Sequence, residues 1–275
     1  MKLHFTLVLL LSGSILVHAT QVDTVHVYAE KMKKEVKTVV VKPENYSNDK
    51  QYPVVYLLHG YSDNYAKWVN TVPTIKELAT LYDILIVCPD GGFSSWYLDS
   101  PVDPDFQYES YITRDLINYI DTHYATIPDR HGRAITGLSM GGHGGLYLAI
   151  RNRELFAHAG SMSGAIDILG TSKKYDITKR LGKSYEEAPD LWRSHSVAYL
   201  VESLQNKDLN IIIDCGVADF LHEMNAALHQ KLIRLGIDHD YIERPGKHNW
   251  EYWANAIHYQ VLFFNHHITK VESGK

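Results

Sequence analysis

Ala134-Ile135-Thr136-Gly137-Leu138-Ser139-Met140-Gly141-Gly142 joins a short apolar run, a Gly-x-Ser-x-Gly pentapeptide and the start of a helix-forming stretch. Ala134 to Thr136 predicts a short strand, and the apolar spacing from Gly142 to Arg151 predicts a helix. A Ser at the apex of a strand-turn-helix is a nucleophile elbow. The turn holds Ser139 at strained backbone angles and presents it at the helix N-terminus. Gly137 and Gly141 are needed because side chains there would meet the strand and the helix. The pentapeptide alone is a weak signal. Its place between a strand and a helix makes Ser139 the candidate nucleophile.

Outward from the elbow, strand-like runs alternate with helical periodicity, the pattern of a mostly parallel sheet covered on both faces. Val22 to Tyr28 and Val36 to Val41 read as an antiparallel edge. Val54 to Leu58, Ile84 to Cys88, Ala134 to Thr136, His158 to Met162, Asn210 to Asp214 and Asp240 to Glu243 read as buried strands, about eight in all. Helical spacing covers Thr74 to Leu81, Tyr111 to Tyr124, Gly142 to Arg151, Leu221 to Leu235 and Trp250 to His266. Residues 165–199 break the alternation with a polar stretch containing Gly170, Gly182 and Pro189, and read as a small cap or lid insertion. One α/β domain over residues 20–275 is expected, with function on loops at the carboxyl ends of the strands.

A serine hydroxyl needs a base to take its proton, and the base needs a carboxylate to orient it. His248 follows the last predicted strand in Pro245-Gly246-Lys247-His248-Asn249-Trp250 and is the candidate base among 16 histidines. Asp219 lies in the loop after the strand ending at Asp214 and is the candidate orienter. Asp214 is its rival, with a hydrogen bond to the loop as its expected role. The negative oxygen of a tetrahedral intermediate requires backbone N–H donors, for which Met140 and Tyr61 are the candidates. His59, beside Tyr61, is expected to pack the loop rather than to act as a second base.

The chain carries 27 Lys+Arg against 32 Asp+Glu with no basic stripe, so nucleic acid and anionic membranes are not expected partners. Met1-Lys2, the apolar run Phe5 to Val17 and the small-residue site Val17-His18-Ala19 form a signal peptide over residues 1–19, too short for a spanning anchor. Export to the periplasm or the exterior follows. His222-Glu223-Met224-Asn225-Ala226 lacks the second His of the helical zinc motif, and neither metal nor cofactor is expected.

The ordered motifs resemble the esterase D family of α/β-hydrolases, which includes S-formylglutathione hydrolases, tributyrin esterases, feruloyl esterases and mycolyltransferases. Tyr56-Leu57-Leu58-His59-Gly60-Tyr61 looks like its oxyanion loop, Gly137 to Gly142 like its elbow, Asp214 to Phe220 like its acid loop and Pro245 to Trp250 like its histidine loop. The segment Ser95 to Pro101 is similar to a family feature beside the substrate pocket. The resemblance implies the α/β-hydrolase fold, oxyanion donors at Tyr61 and Met140, and a sheet order that sets Cys88 and Cys215 four strand positions apart. At ~4.8 Å per strand that is roughly 19 Å, beyond the ~7 Å reach of a disulfide, so both thiols are expected free and buried.

Tyr65, Trp68, Trp96, Tyr97, Trp250 and Trp253 gather around these loops in sequence. Trp96 and Trp250 are the candidates for substrate contact, through stacking on a sugar or an aromatic acyl group. The expected substrate is a small-molecule or polysaccharide-linked ester, such as a feruloyl or acetyl ester of plant polysaccharide or another short acyl ester. Transfer of the acyl group to a sugar acceptor and a non-catalytic binding role are the alternatives.

Overall fold

Apolar residues at consecutive positions of Val54-Val55-Tyr56-Leu57-Leu58 point alternately to opposite sides of a strand, so a run of this kind needs cover on both faces. In the computed structural model, which describes residues 22–171 and 174–268, both faces are covered. Eight strands form one sheet: β1 (Val22–Ala29), β2 (Lys34–Val41), β3 (Val54–Leu58), β4 (Leu85–Pro89), β5 (Arg133–Gly137), β6 (His158–Met162), β7 (Asn210–Gly216) and β8 (Asp240–Arg244). Their order is β1-β2-β4-β3-β5-β6-β7-β8. β2 pairs antiparallel with β1 and β4, and every other pairing is parallel. Each strand lies within a few residues of its expected position.

The longer helices are α1 (Thr74–Tyr82), α2 (Ile117–His123), α3 (Met140–Arg151), α4 (His222–Arg234) and α5 (Trp250–His267). Val55, Leu57, Ile86 and Ile212 pack with α1 and α5 on one face. Val54, Tyr56, Leu58, Val87 and Ile135 pack with α2, α3 and α4 on the other. Burying each such side chain contributes about 1.5–3 kcal/mol before the entropy cost of ordering it. The expected helix from Tyr111 to Tyr124 takes a different form. Its first part, Tyr111–Leu116, is π-helical and is preceded by a short turn at Tyr108–Ser110.

Residues 165–199 carry the short helices Ile177–Leu181, Pro189–Arg193 and Val197–Leu200, the last packed on α3. α3 is therefore buried along most of its length. Cys88 and Cys215 are free and buried, on β4 and β7, four positions apart in the sheet. The expected signal peptide at residues 1–19 lies outside the described residues. Among the described residues no helix is long and apolar enough to cross a membrane.

Candidate active site

Ser139 has φ 54° and ψ −115°, outside the region that L-residues ordinarily occupy. The strain is held from both sides. Ser139 N–H donates to Met162 O at the end of β6 (3.0 Å), and Leu138 N–H to Leu58 O at the end of β3 (3.3 Å). The flanking glycines are dictated by space. A side-chain carbon on Gly137 would stand 2.6 Å from Leu58 O, and one on Gly141 would stand 2.5 Å from His59 O. The turn therefore lifts the Ser139 hydroxyl above the carboxyl end of the sheet.

Two further loops meet it there. The loop after β7 and the loop after β8 are tied by backbone bonds, Val217 N–H to Arg244 O and Ala218 N–H to Gly246 O, both 2.9 Å. Asn249 begins α5 in extended conformation, and its side chain accepts from Tyr252 N–H, a helix cap that fixes the chain just past His248. Asp219, buried, accepts from Leu221 N–H at 2.8 Å. The result is a continuous hydrogen-bonded line. His248 Nδ1 lies 3.0 and 2.9 Å from the two Asp219 oxygens, and His248 Nε2 lies 3.0 Å from Ser139 Oγ. With Nδ1–H donating to the carboxylate, Nε2 presents its lone pair to the hydroxyl. Burial works against the Asp219 charge, but the bonds from His248 and Leu221 outweigh it and hold the carboxyl below the usual carboxylate range.

Met140 opens α3, where backbone N–H groups lack intrahelical acceptors. Among the described residues nothing accepts from the N–H of Met140 or of Tyr61, and both residues line the cavity that holds Ser139. His59 is different from His248. Its Nδ1 bonds Gly60 O at 2.8 Å, its Nε2 accepts from Gly91 N–H at 2.7 Å, and burial pushes its pKa down. Both ring nitrogens are thereby committed to holding the loop in place. Asp214 accepts from the side chains of Arg244 and Tyr252. Its side chain thus binds the next strand and α5, not the loop as expected.

The cavity has a volume of about 470 Å³. Trp96, Trp250 and Trp253 line it, whereas Tyr65, Trp68 and Tyr97 do not. Trp68 is buried with its indole N–H donating to Leu58 O (3.0 Å), and the Tyr97 hydroxyl donates to His59 O (3.0 Å). Proximity to a motif in sequence did not separate rings that face the cavity from rings that fill the core. Trp96 is buried, with φ 56°, and donates through its indole N–H to Tyr175 O at 2.9 Å. Trp250 packs edge-on against Trp68 and Trp253. Sequence reasoning missed Asp63, Tyr175 and Phe220. Phe220 is 66% exposed and its ring lies 4.5 Å from that of His248. An aromatic directly after the candidate acid Asp219 was the available signal for it; Tyr175 offered none. Among the described residues no group of three or more His, Cys, Asp or Glu could hold a metal ion.

The sheet order, the elbow on β5 and the acid and histidine loops after β7 and β8 define an α/β-hydrolase. The family model described as "Putative esterase" matches residues 29–264, so the chain belongs to that esterase family and is a carboxylic ester hydrolase. An acetyl esterase of Caldicellulosiruptor saccharolyticus is 27% identical over 253 residues, covering 85% of this chain and 94% of the relative. The diacylglycerol acyltransferase/mycolyltransferase Ag85A of Mycobacterium leprae is 28% identical over 245 residues, 74% of this chain and 72% of that protein. A solved ferulic acid esterase shares the fold with a TM-score of 0.77 at 24% identity, over 91% of this chain and 99% of its own.

Proposed function

We propose that this esterase works through an acyl-enzyme on Ser139 and acts outside the cytoplasm. The observation that carries the reading is the unbroken line from Asp219 through His248 to Ser139 Oγ, with 2.9 to 3.0 Å at each link. Ser139 Oγ attacks the ester carbonyl carbon while its proton passes to His248 Nε2, and Asp219 stabilises the imidazolium. The carbonyl electron pair moves to oxygen, where the N–H groups of Tyr61 and Met140 receive it. Each such donor is worth about 10²–10³-fold in rate. Collapse breaks the bond to the alcohol, which leaves with the proton from His248. Water then repeats the sequence, freeing the acid and restoring Ser139.

Trp96 and Trp250 serve as substrate contacts, and residues 165–199 act as a cap by bringing Ala165 and Tyr175 to the cavity. The substrate is a feruloyl or acetyl ester of plant polysaccharide or another short acyl ester. Likeness to the acetyl esterase and the ferulic acid esterase supports this class. Residues 1–19, read as a signal peptide, support secretion or a periplasmic site. Acyl transfer to a sugar hydroxyl in place of water is the second reading, favoured by the likeness to Ag85A.

Ser139→Ala should lower kcat on p-nitrophenyl acetate by on the order of 10⁴-fold or more, with an unchanged circular dichroism spectrum. Retained turnover would overturn the mechanism. Product analysis with a sugar acceptor present separates hydrolysis from transfer.

A further inference from the structure

Asp63 stands in the loop after β3 and lines the same cavity as Ser139 and His248. Its N–H donates to Gly60 O at 3.2 Å, which folds the loop back toward the elbow. A side-chain carbon on Gly60 would stand 3.6 Å from Asp63 Oδ2 and 3.7 Å from Ser139 Cβ. The nearest atom to that position is Leu138 Cδ1 at 2.6 Å, so with glycine at 60 the Leu138 side chain, the Asp63 carboxylate and Ser139 Cβ all approach the same point of the loop. Among the described residues nothing donates a hydrogen bond to the Asp63 carboxylate; His59 and Lys67 act on it only at a distance. The neighbouring acid Asp90 is engaged, accepting from Gly92 N–H and Tyr65 N–H. The half-buried carboxylate stays open to the cavity, where a ligand can supply a donor in place of water.

We infer that Asp63 is a substrate-binding residue whose carboxylate accepts a hydrogen bond from a hydroxyl group carried by the ester. The inference rests on the serine-esterase reading of the same cavity. Charge decides the type of donor. Lys67, whose Nζ lies 5.5 Å over the Trp250 ring, places a cation near this wall, so a substrate ammonium would meet repulsion. An anionic substituent would be repelled by Asp63 itself. A neutral hydroxyl meets neither penalty, and a hydrogen bond to an ionised acceptor is stronger than one between neutral groups. The hydroxyl has two sources, a free sugar hydroxyl on the alcohol side or a phenol on the acyl side.

The test compares kcat/KM for matched esters that differ only in whether the hydroxyl is free or methylated. Monoacetylated methyl xyloside against its O-methyl ether reads the alcohol side; methyl ferulate against methyl 3,4-dimethoxycinnamate reads the acyl side. In the wild type the free hydroxyl should be preferred in one pair. Asp63→Ala should reduce that preference by about tenfold, and Asp63→Asn, which keeps an acceptor but no charge, by less. Whichever pair loses its preference identifies the source. Burial holds the Asp63 carboxyl above the usual carboxylate range, against the pull of His59 and Lys67. The wild-type preference should therefore weaken as acid protonates Asp63, and in Asp63→Asn that pH dependence should vanish. Any effect of pH on the catalytic step itself acts on both esters of a pair and cancels in the ratio. Should Asp63→Ala fail to fold, the near-isosteric Asp63→Asn carries the test. Unchanged preference in both pairs, or equal loss on both esters of a pair, overturns the inference. If Ser139→Ala is inactive while the preference stays constant, the mechanism stands and the inference alone falls.

Discussion

Asp214 lies within β7 and Asp219 in the loop that follows it; both are buried, and they differ in what receives their charge. Asp214, at 0% exposure, faces the Arg244 guanidinium and the Tyr252 hydroxyl, each fixed by its own element. Burial outweighs those partners and pushes its carboxyl above the usual range. Asp219 receives the imidazole of His248 and the Leu221 N–H, and is held below it. Two acids, one within β7 and one in the loop after it, therefore serve opposite ends. One joins β7 to β8 and α5, and the other leaves the next group along, an imidazole, free to face a hydroxyl. Distance from the strand end decides which partner each can reach.

The sharpest way to break this contrast is Asp219→Asn, which removes the charge opposite His248 and permits the wrong tautomer. It should lower kcat on p-nitrophenyl acetate by on the order of 10⁴-fold, with a midpoint of urea unfolding that moves little. Asp214→Asn should do the reverse. It leaves Arg244 without its anion and should cost about 2–4 kcal/mol of stability, less than a fully buried pair because Arg244 is partly exposed. Its kcat should stay within about tenfold of wild type. If Asp214→Asn were the more damaging to turnover, the two roles would have to be exchanged.

The smallest effect is in the pH dependence of stability. Asp219, with a lowered folded pKa, contributes stability that is present above its unfolded pKa and lost as pH falls through the folded value. Asp214, with a raised folded pKa, has the opposite sign: the folded state binds the proton more readily, and stability falls as pH rises from the unfolded value through the folded one. Thermal unfolding between about pH 3 and pH 6 should show Asp219→Asn losing part of the wild-type decline in acid, and Asp214→Asn steepening that decline. Identical pH slopes in the two variants would remove the distinction.

Much of the site was legible because its pieces are local. An elbow, a helix cap or a strand end is defined by neighbouring residues, so spacing and order led to Ser139, Asp219 and His248, which the structure brings within hydrogen-bonding distance of one another. The core strands were legible for the same reason. Asp63, Tyr175 and Phe220 were not selected, since lining a cavity depends on where distant loops meet. Tyr65, Trp68 and Tyr97 mislead in the other direction. They sit beside the motifs in sequence, yet Trp68 and Tyr97 bond the backbone of the β3 end beneath the cavity.

The sequence by itself determined the alternation of strands and helices, the strand-turn-helix at Ser139 and the chain order of Ser139, Asp219 and His248, because periodicity and turn chemistry act over a few residues. Only the tertiary structure decided which aromatic rings face the cavity, how Asp214 is anchored, and that Asp63 lines the cavity beside Ser139. Those outcomes depend on the sheet order that sets β3, β5, β7 and β8 with their carboxyl ends together. Direct contact between residues far apart in the chain leaves no periodic trace in a single sequence.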